Sequence, residues 1–273
     1  MSGAAIMSQG SKLISVVMPT YNHARFIGKA VQSVLRQSCG DFELIVVDNY
    51  SQDDTEAIVA AYGDPRIRYV KFANKGIIAA ARNHGIGLAK GEYVAFLDSD
   101  DLWLPEKLGT QLEAFGRGED IAMVYSRFKT ITGEAVSEQV LPKAKICASG
   151  AVFRTLYLKH FVACSGVMVR KNILERAGGF NEAPALVAVE DADLWLRIAL
   201  TGRIQCASEA PLFLYRVHDA NVSQGYIVKF RRAFRLIRRH RKSAGFLNYI
   251  EAVALLSASI IRRKLVDVLG ARR

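Results

Sequence analysis

The stretch YVAFLDSDD, residues 93–101, sets an unbroken apolar run against three carboxylates, Asp98, Asp100 and Asp101, within four residues. Short apolar runs rich in β-branched and aromatic side chains read as strands covered on both faces. Carboxylates this close raise one another's pKa unless a cation, hydrogen-bond donors or water compensate them. Asp and Ser favour helix starts and Pro105 marks one, so the cluster can serve simply as a helix cap. A carboxylate pair one residue apart at the end of a buried strand also suits a hard divalent cation, which binds through one or two carboxylates plus substrate phosphates.

The same alternation repeats upstream. LISVVMP (13–19), FELIVVD (42–48) and RIRYVKF (66–72) are strand-like, and each is followed by a helical pattern: ARFIGKAVQSVLRQS (24–38), DDTEAIVAAYG (53–63) and IIAAARNHGIGLA (77–89). Apolar strands separated by helices predict an α/β fold with a mostly parallel central sheet, doubly wound. Such sheets bind ligands beyond the carboxyl ends of their strands. The polar residues collect there: Thr20, Tyr21 and Asn22 after the first strand, Asp48 and Asn49 after the second, Asp98 and Asp100 after the last. Three strand ends therefore predict one site.

Downstream, PEKLGTQLEAFGRG (105–118) predicts a helix, IAMVYSRF (121–128) a strand, and 127–150 an irregular excursion. CSGVMVRKNILERAGGFNE (164–182) reads as strand, short helix and a Gly-Gly stop. VEDADLWLRIALTG (189–202) reads as an amphipathic helix with Leu194, Trp195, Ile198 and Ala199 inward, ended by Thr201-Gly202.

Of the 273 residues, 51% are hydrophobic and 23% charged, an ordinary globular balance. Cys39, Cys147, Cys164 and Cys206 form no CxxC pair, which excludes a zinc pattern or disulfide framework and points to a reducing cytosol. MSGAAIMSQGSK (1–12) lacks the pattern of a secretory signal and reads as a loose tail. AVALLSASII (252–261) falls well short of the roughly 20 residues that span a bilayer, so no membrane crossing is expected. The net charge of +11 is confined to the end of the chain: Tyr226 to Arg273 holds 13 Lys and Arg against Glu251 and Asp267, leaving 24 basic and 24 acidic residues in 1–225. A neutral body with a basic tail is not the even basic stripe of a dedicated nucleic-acid binder.

PTYN (19–22), VVDNYSQDDT (46–55), NKGIIAAARNHG (74–85), FLDSDD (96–101), VEDADLWLR (189–197) and YRVH (215–218) stand in the order and at about the spacing of the family 2 glycosyltransferases with the A-type fold. The resemblance covers about residues 13–223. It implies one Rossmann-like nucleotide-sugar-binding domain at 13–225, with a nucleotide half at about 13–101 and an acceptor half at about 102–225. A basic helical extension follows at 226–273.

Thr20 and Tyr21, with Asn22, then resemble the lining of a nucleoside pocket, and Asp48 the partner of the base. An acceptor-only carboxylate can read an imide N–H, as in uracil or thymine. Arg82 resembles the arginine near base and phosphates, Asp98 the residue facing the ribose, and Asp100 the main protein ligand of Mg²⁺ or Mn²⁺. His218 resembles a diphosphate or metal contact beside Asp98 and Asp100, although a lone histidine at a strand end is more often structural. Glu190 and Asp191 could be first-turn acids favoured by the helix dipole. The resemblance instead makes Asp191 the general base and Glu190 its neighbour contacting the acceptor. The second loop departs from the common DDGS and reads Asp48-Asn49-Tyr50-Ser51.

The implied activity is metal-dependent transfer of a sugar, with inversion, from a UDP- or dTDP-linked donor to an acceptor hydroxyl. The implied setting is cell-envelope polysaccharide or glycolipid synthesis, with a carbohydrate or lipid-linked acceptor. Alternatives are a sugar nucleotidyltransferase, for which PTYNHARF lacks the Gly-rich triphosphate loop, and a non-catalytic, membrane-associated binding protein on the same fold. Phe230, Phe234 and Ile237 at near-helical spacing among arginines suit either helices packed on the domain or an anionic membrane surface.

Overall fold

The computed structural model describes residues 13–218 and 226–270. The expected N-terminal tail, 1–12, lies outside the described residues. The first half alternates as the sequence predicts: β1 (Ile14–Thr20), α1 (Ala24–Leu35), β2 (Phe42–Asp48), α2 (Thr55–Ala60), β3 (Ile67–Lys71), α3 (Ile78–Leu88) and β4 (Tyr93–Phe96). There follow β5 (Leu102–Trp103), α4 (Lys107–Phe115), β6 (Ile121–Thr132), β7 (Ala135–Val136), α5 (Phe153–Lys159), β8 (Val167–Arg170), α6 (Lys171–Ala177), α7 (Glu190–Ala199) and β9 (Arg203–Arg216). The helices α8 (Tyr226–Arg239), α9 (Arg241–Ala244) and α10 (Phe246–Gly270) complete the chain.

The strands form one sheet in the order β3-β2-β1-β4-β8-β6-β9-β5, with β7 on β6. From β3 to β4 every pairing is parallel. β8 enters antiparallel to both β4 and β6, and β9 runs parallel to β6. Alternating side chains feed two cores. Ile14, Val16 and Met18 of β1 pack with Ile27 and Val31 of α1, Val59 of α2 and Leu108 of α4. Val17, Ile45, Val47 and Phe96 face the other side, against Ala81 of α3, Leu156 and Tyr157 of α5, and Leu194 and Trp195 of α7. Gly85 permits the tight seating of α3, because a Cβ there would lie 2.5 Å from a Val17 methyl.

Two segments differ from expectation. β6 continues through Thr132 into a hairpin with β7, and Leu141 then returns to bridge Phe128, so much of 127–150 is ordered against the sheet. β9 is a 14-residue strand whose polar, Pro-interrupted sequence RIQCASEAPLFLYR hides it; its irregular register against β6 absorbs the interruption. No acid of DSDD caps α4, which starts at Lys107 without a side-chain cap. Instead β5 pairs antiparallel with the end of β9, Leu102 opposite Leu214 and Trp103 opposite Phe213, which brings DSDD beside YRVH.

Candidate active site

A cleft of about 860 Å³ opens at the carboxyl ends of β1 and β4. Its wall includes Thr20, Tyr21, Asp98, Asp100 and His218 from one side and Glu190 and Asp191 from α7. The structure thus gathers groups separated by up to about two hundred positions in sequence. Asp48 and Asn22 do not line it. Asp48 is fully buried at the end of β2, where its carboxylate accepts from the Ser51 amide at 2.9 Å and from the Ser51 hydroxyl. Asn22 accepts from the Gln52 amide at 2.7 Å, so both residues organise the loop that presents Asn49 to the cleft. In that loop Tyr50 has φ 58°, a left-handed conformation that glycine adopts without strain and a bulky residue does not.

Arg82, buried on α3, links the two sides. Its Nη2 donates to Asp98 Oδ1 and its Nη1 to Glu190 Oε1, each at 2.7 Å. The guanidinium also lies 5.3 Å from the Phe180 ring centroid. A desolvated cation is held here by two carboxylates, one of them 108 positions from it in sequence.

The acidic turn divides into distinct tasks. Asp100 Oδ2 lies 2.9 Å from His218 Nε2, and both side chains line the cleft. Asp101 points into the protein, accepting from the Ser165 hydroxyl at 2.6 Å and the Arg216 amide at 2.7 Å. Burial, then the Asp100 and Asp98 carboxylates, push Asp101 well above the usual range. Among the described residues no group of three His, Cys, Asp or Glu is placed to hold a metal, since Asp98 commits an oxygen to Arg82 while Asp100 and His218 pair. A carboxylate with an imidazole at a cleft wall still fits a hard cation that takes its remaining oxygens from a bound diphosphate and water.

Asp191 occupies the first turn of α7, where the Ala192 amide donates to its Oδ1 at 2.7 Å. Burial first, then the Glu190 carboxylate, push Asp191 up to about 7, against the opposing Arg82 cation. That range suits a residue that takes a proton near neutral pH. The loop before it passes through Ala188 at φ 63°, a strained conformation at the cleft edge. Among the described residues, Thr20 Oγ1, Arg82 Nε and Glu190 Oε2 are buried polar atoms without a protein partner, and all three residues line this cleft. Orphaned polar groups converging on one cavity mark where a polar ligand completes the hydrogen bonding.

Several wall residues carry no sequence signal. Phe128, Leu141, Pro142, Lys143 and Ile146 arrive through the β6 return, and His160 to Cys164 through the loop after α5. Ser165, which donates to Asp101 and accepts from the Asp98 amide at 3.1 Å, was equally invisible. Asp193, two residues after Asp191 and 0% exposed, is held by Arg197 Nε (2.9 Å), Arg239 Nε (2.8 Å) and His240 Nε2 (2.9 Å). These contacts, with buried Leu236 and Ile237 and a Tyr157 hydroxyl donating to the Ile237 carbonyl, fasten α8 to the α7 side of the molecule. Replacing Asp193 by alanine is expected to cost about 1–3 kcal/mol, since it removes the buried acceptor shared by partly exposed Arg197, half-exposed Arg239 and His240. Thermal unfolding of the variant measures this, and an unchanged Tm would remove the clamp.

The parallel half-sheet, the acidic turn at its switch and the cleft across it define a doubly wound α/β protein with a ligand cleft at its switch point. The family model "Glycosyl transferase family 2" matches residues 15–178, and the chain belongs to that family. It is 34% identical over 212 residues to the Escherichia coli UDP-Glc:alpha-D-GlcNAc-diphosphoundecaprenol beta-1,3-glucosyltransferase WfaP, covering 78% of this chain and 80% of the relative. Across such relatives the chain spans between 64% and 84% of their lengths. In fold it is similar to S. aureus TarS 1-349, crystallised with UDP-GlcNAc (TM-score 0.65, 22% identity, 83% of this chain and 64% of that one). It is also similar to the Pyrobaculum calidifontis mannosyltransferase PcManGT, solved with GDP-Man and Mn2+ (TM-score 0.64, 19% identity, 96% and 79%).

Proposed function

We propose that the chain transfers a sugar from a UDP- or dTDP-linked donor to the hydroxyl of a lipid-linked or carbohydrate acceptor in envelope polysaccharide or glycolipid synthesis, with inversion at the anomeric carbon. The observation that carries this reading is the shared cleft: Asp98, Asp100 and His218 stand on the strand-end side, and Asp191 faces them from α7. The WfaP name supplies the class of lipid-linked acceptor and UDP donor by similarity.

In this reading Thr20 and Tyr21 contact the nucleoside. Asp48 meets the base once the ligand displaces Ser51, while Asn22 steadies the same loop. Arg82 holds Asp98 toward the ribose and Glu190 toward the acceptor. Asp191 takes the proton of the acceptor hydroxyl as the acceptor oxygen bonds to the anomeric carbon. The bond from that carbon to the diphosphate oxygen breaks with its electron pair on the leaving group, so one displacement inverts the centre. Mg²⁺ or Mn²⁺, held by Asp100 and His218 with Asp98 nearby, supplies charge neutralisation to the departing diphosphate when bound. The place of action is the cytoplasm, peripherally on the inner face of the cytoplasmic membrane, with the basic helices toward the lipid.

Release of nucleoside diphosphate from a panel of nucleotide sugars tests the assignment. Calorimetry with added Mn²⁺ is expected to rank UDP and dTDP above GDP and CMP, because a carboxylate accepts from a pyrimidine imide. Asp48→Ala is expected to level that ranking. Preference for GDP would show that Asn49 and Tyr50 have rebuilt the base pocket.

A further inference from the structure

We infer that the exposed face of α10, with the cations that precede it, docks on an anionic lipid bilayer and sets the acceptor side of the cleft at the membrane. The inference rests on the proposed membrane-side reading and names its surface. One face of α10 is spent on the protein: Ala252 is buried, Tyr249, Val253 and Leu256 pack on the core beside α5, and Arg154 of α5 binds Asn248 Oδ1 (2.9 Å) and Glu251 Oε2 (2.6 Å). Among the described residues the opposite face is uncovered and mostly apolar in its first two turns, with Ser257 and Ala258 following. Phe246 is 75% exposed, Leu247 81% and Ile250 49%, with Leu255 and Ala254 continuing the surface. At 100° per residue Phe246, Ile250, Ala254 and Leu247 fall within about 100° of one another, with Leu255 at the margin beyond Glu251.

Arg231, Arg235, Arg238, Arg241 and Lys242 are exposed and precede this face in sequence, Arg239 being spent on Asp193, and no acid occurs between Tyr226 and Ile250. The first, Glu251, is already paired with Arg154. An apolar helix face bordered by cations lies in the plane of a negatively charged interface, where apolar burial and headgroup attraction add. The charge argues against a second copy as the occupant, since two such surfaces repel. The unshielded Phe and Leu at its centre argue against nucleic acid. Position supports the function: α10 sits on α5, and His160 to Cys164, directly after α5, form part of the cleft wall. A lipid-linked acceptor emerging from the bilayer would meet that wall first.

Full-length protein is sedimented with vesicles of phosphatidylcholine alone and of phosphatidylcholine mixed with phosphatidylglycerol. Binding is expected only to the mixed vesicles, weakening with salt. Phe246→Ser with Leu247→Ser should lower partitioning on the order of 10²-fold. Arg241→Glu with Lys242→Glu should lower it by at least about five-fold per site. All four positions are exposed and away from the cleft, so UDP binding by calorimetry should be unchanged in both variants. Absence of binding, equal binding to neutral vesicles, or indifference to the Phe246 and Leu247 changes would overturn the inference. A dimer in light scattering that the serine variant dissolves would give the face to a second copy and overturn it as well. Vesicle binding without release of nucleoside diphosphate from any donor would refute the transferase reading and leave the docking surface standing; the reverse result would do the opposite.

Discussion

Replacing Asp100 by alanine is expected to abolish nearly all transfer while the chain remains folded. The reasoning starts from what the side chain does in the ligand-free cleft. Among the described residues its carboxylate hydrogen-bonds His218 at 2.9 Å, whereas its backbone carbonyl accepts from Arg216 Nε at 2.7 Å and survives the substitution. The fold therefore loses one partly buried contact. The reaction loses the carboxylate proposed to hold the divalent cation beside a leaving diphosphate, a contribution of several kcal/mol. At about 1.4 kcal/mol per decade, turnover should fall on the order of 10³-fold. Circular dichroism and thermal unfolding of the variant should match the parent. Asp101→Ala is the informative contrast, since it strips partners from the Ser165 hydroxyl and the Arg216 amide and should lower Tm. An Asp100→Ala enzyme fully active in excess chelator would sink the metal assignment.

Asp191→Asn is expected to separate chemistry from donor binding. Asparagine keeps an oxygen for the Ala192 amide, so the first turn of α7 is preserved, but it cannot take a proton. General-base catalysis contributes about 10²- to 10⁴-fold, and turnover should drop within or beyond that range with UDP affinity nearly intact. The pH dependence has a definite sign. With Asp191 near 7, the carboxylate is protonated below that value and cannot act as a base, so turnover rises with pH through about 7 and levels off above it. The variant should lack this limb. Stability moves the other way: the folded state holds the proton more tightly than the unfolded chain, so this group's contribution is full below the unfolded value of 3.8 and is lost as pH rises through about 7. NMR of the product should show the anomer opposite to the donor's. Retained configuration would refute single displacement, and a variant that loses UDP affinity but turns over bound donor would pass the base role to Glu190 or to the acceptor.

Much of the fold was legible because its signals are local. Apolar runs such as FELIVVD alternating with amphipathic helices can only be buried in a covered parallel sheet, and β1 to β4 form as expected. The strand ends were legible for the same reason, since polar residues that interrupt an apolar run must emerge from the sheet. β9 was not, because its polar positions belong to a strand whose partners lie about eighty residues away, and no local period records them. The division of labour inside DSDD was also hidden. Three similar carboxylates differ only in which way the turn after β4 aims them: Asp98 to Arg82, Asp100 to His218, Asp101 to Ser165 and Arg216.

By itself, then, the sequence determined the family, the parallel half of the sheet and the group of residues from which a site is drawn, because periodicity and turn chemistry act over a few residues. Only the tertiary structure decided that Asp48 and Asn22 brace a loop rather than line the ligand-free cleft, that Arg82 is shared between Asp98 and Glu190, and that Asp193 ties the basic helices to α7. The last two join distant segments around a buried group, Arg82 or Asp193, and that burial exists only once the two cores have closed.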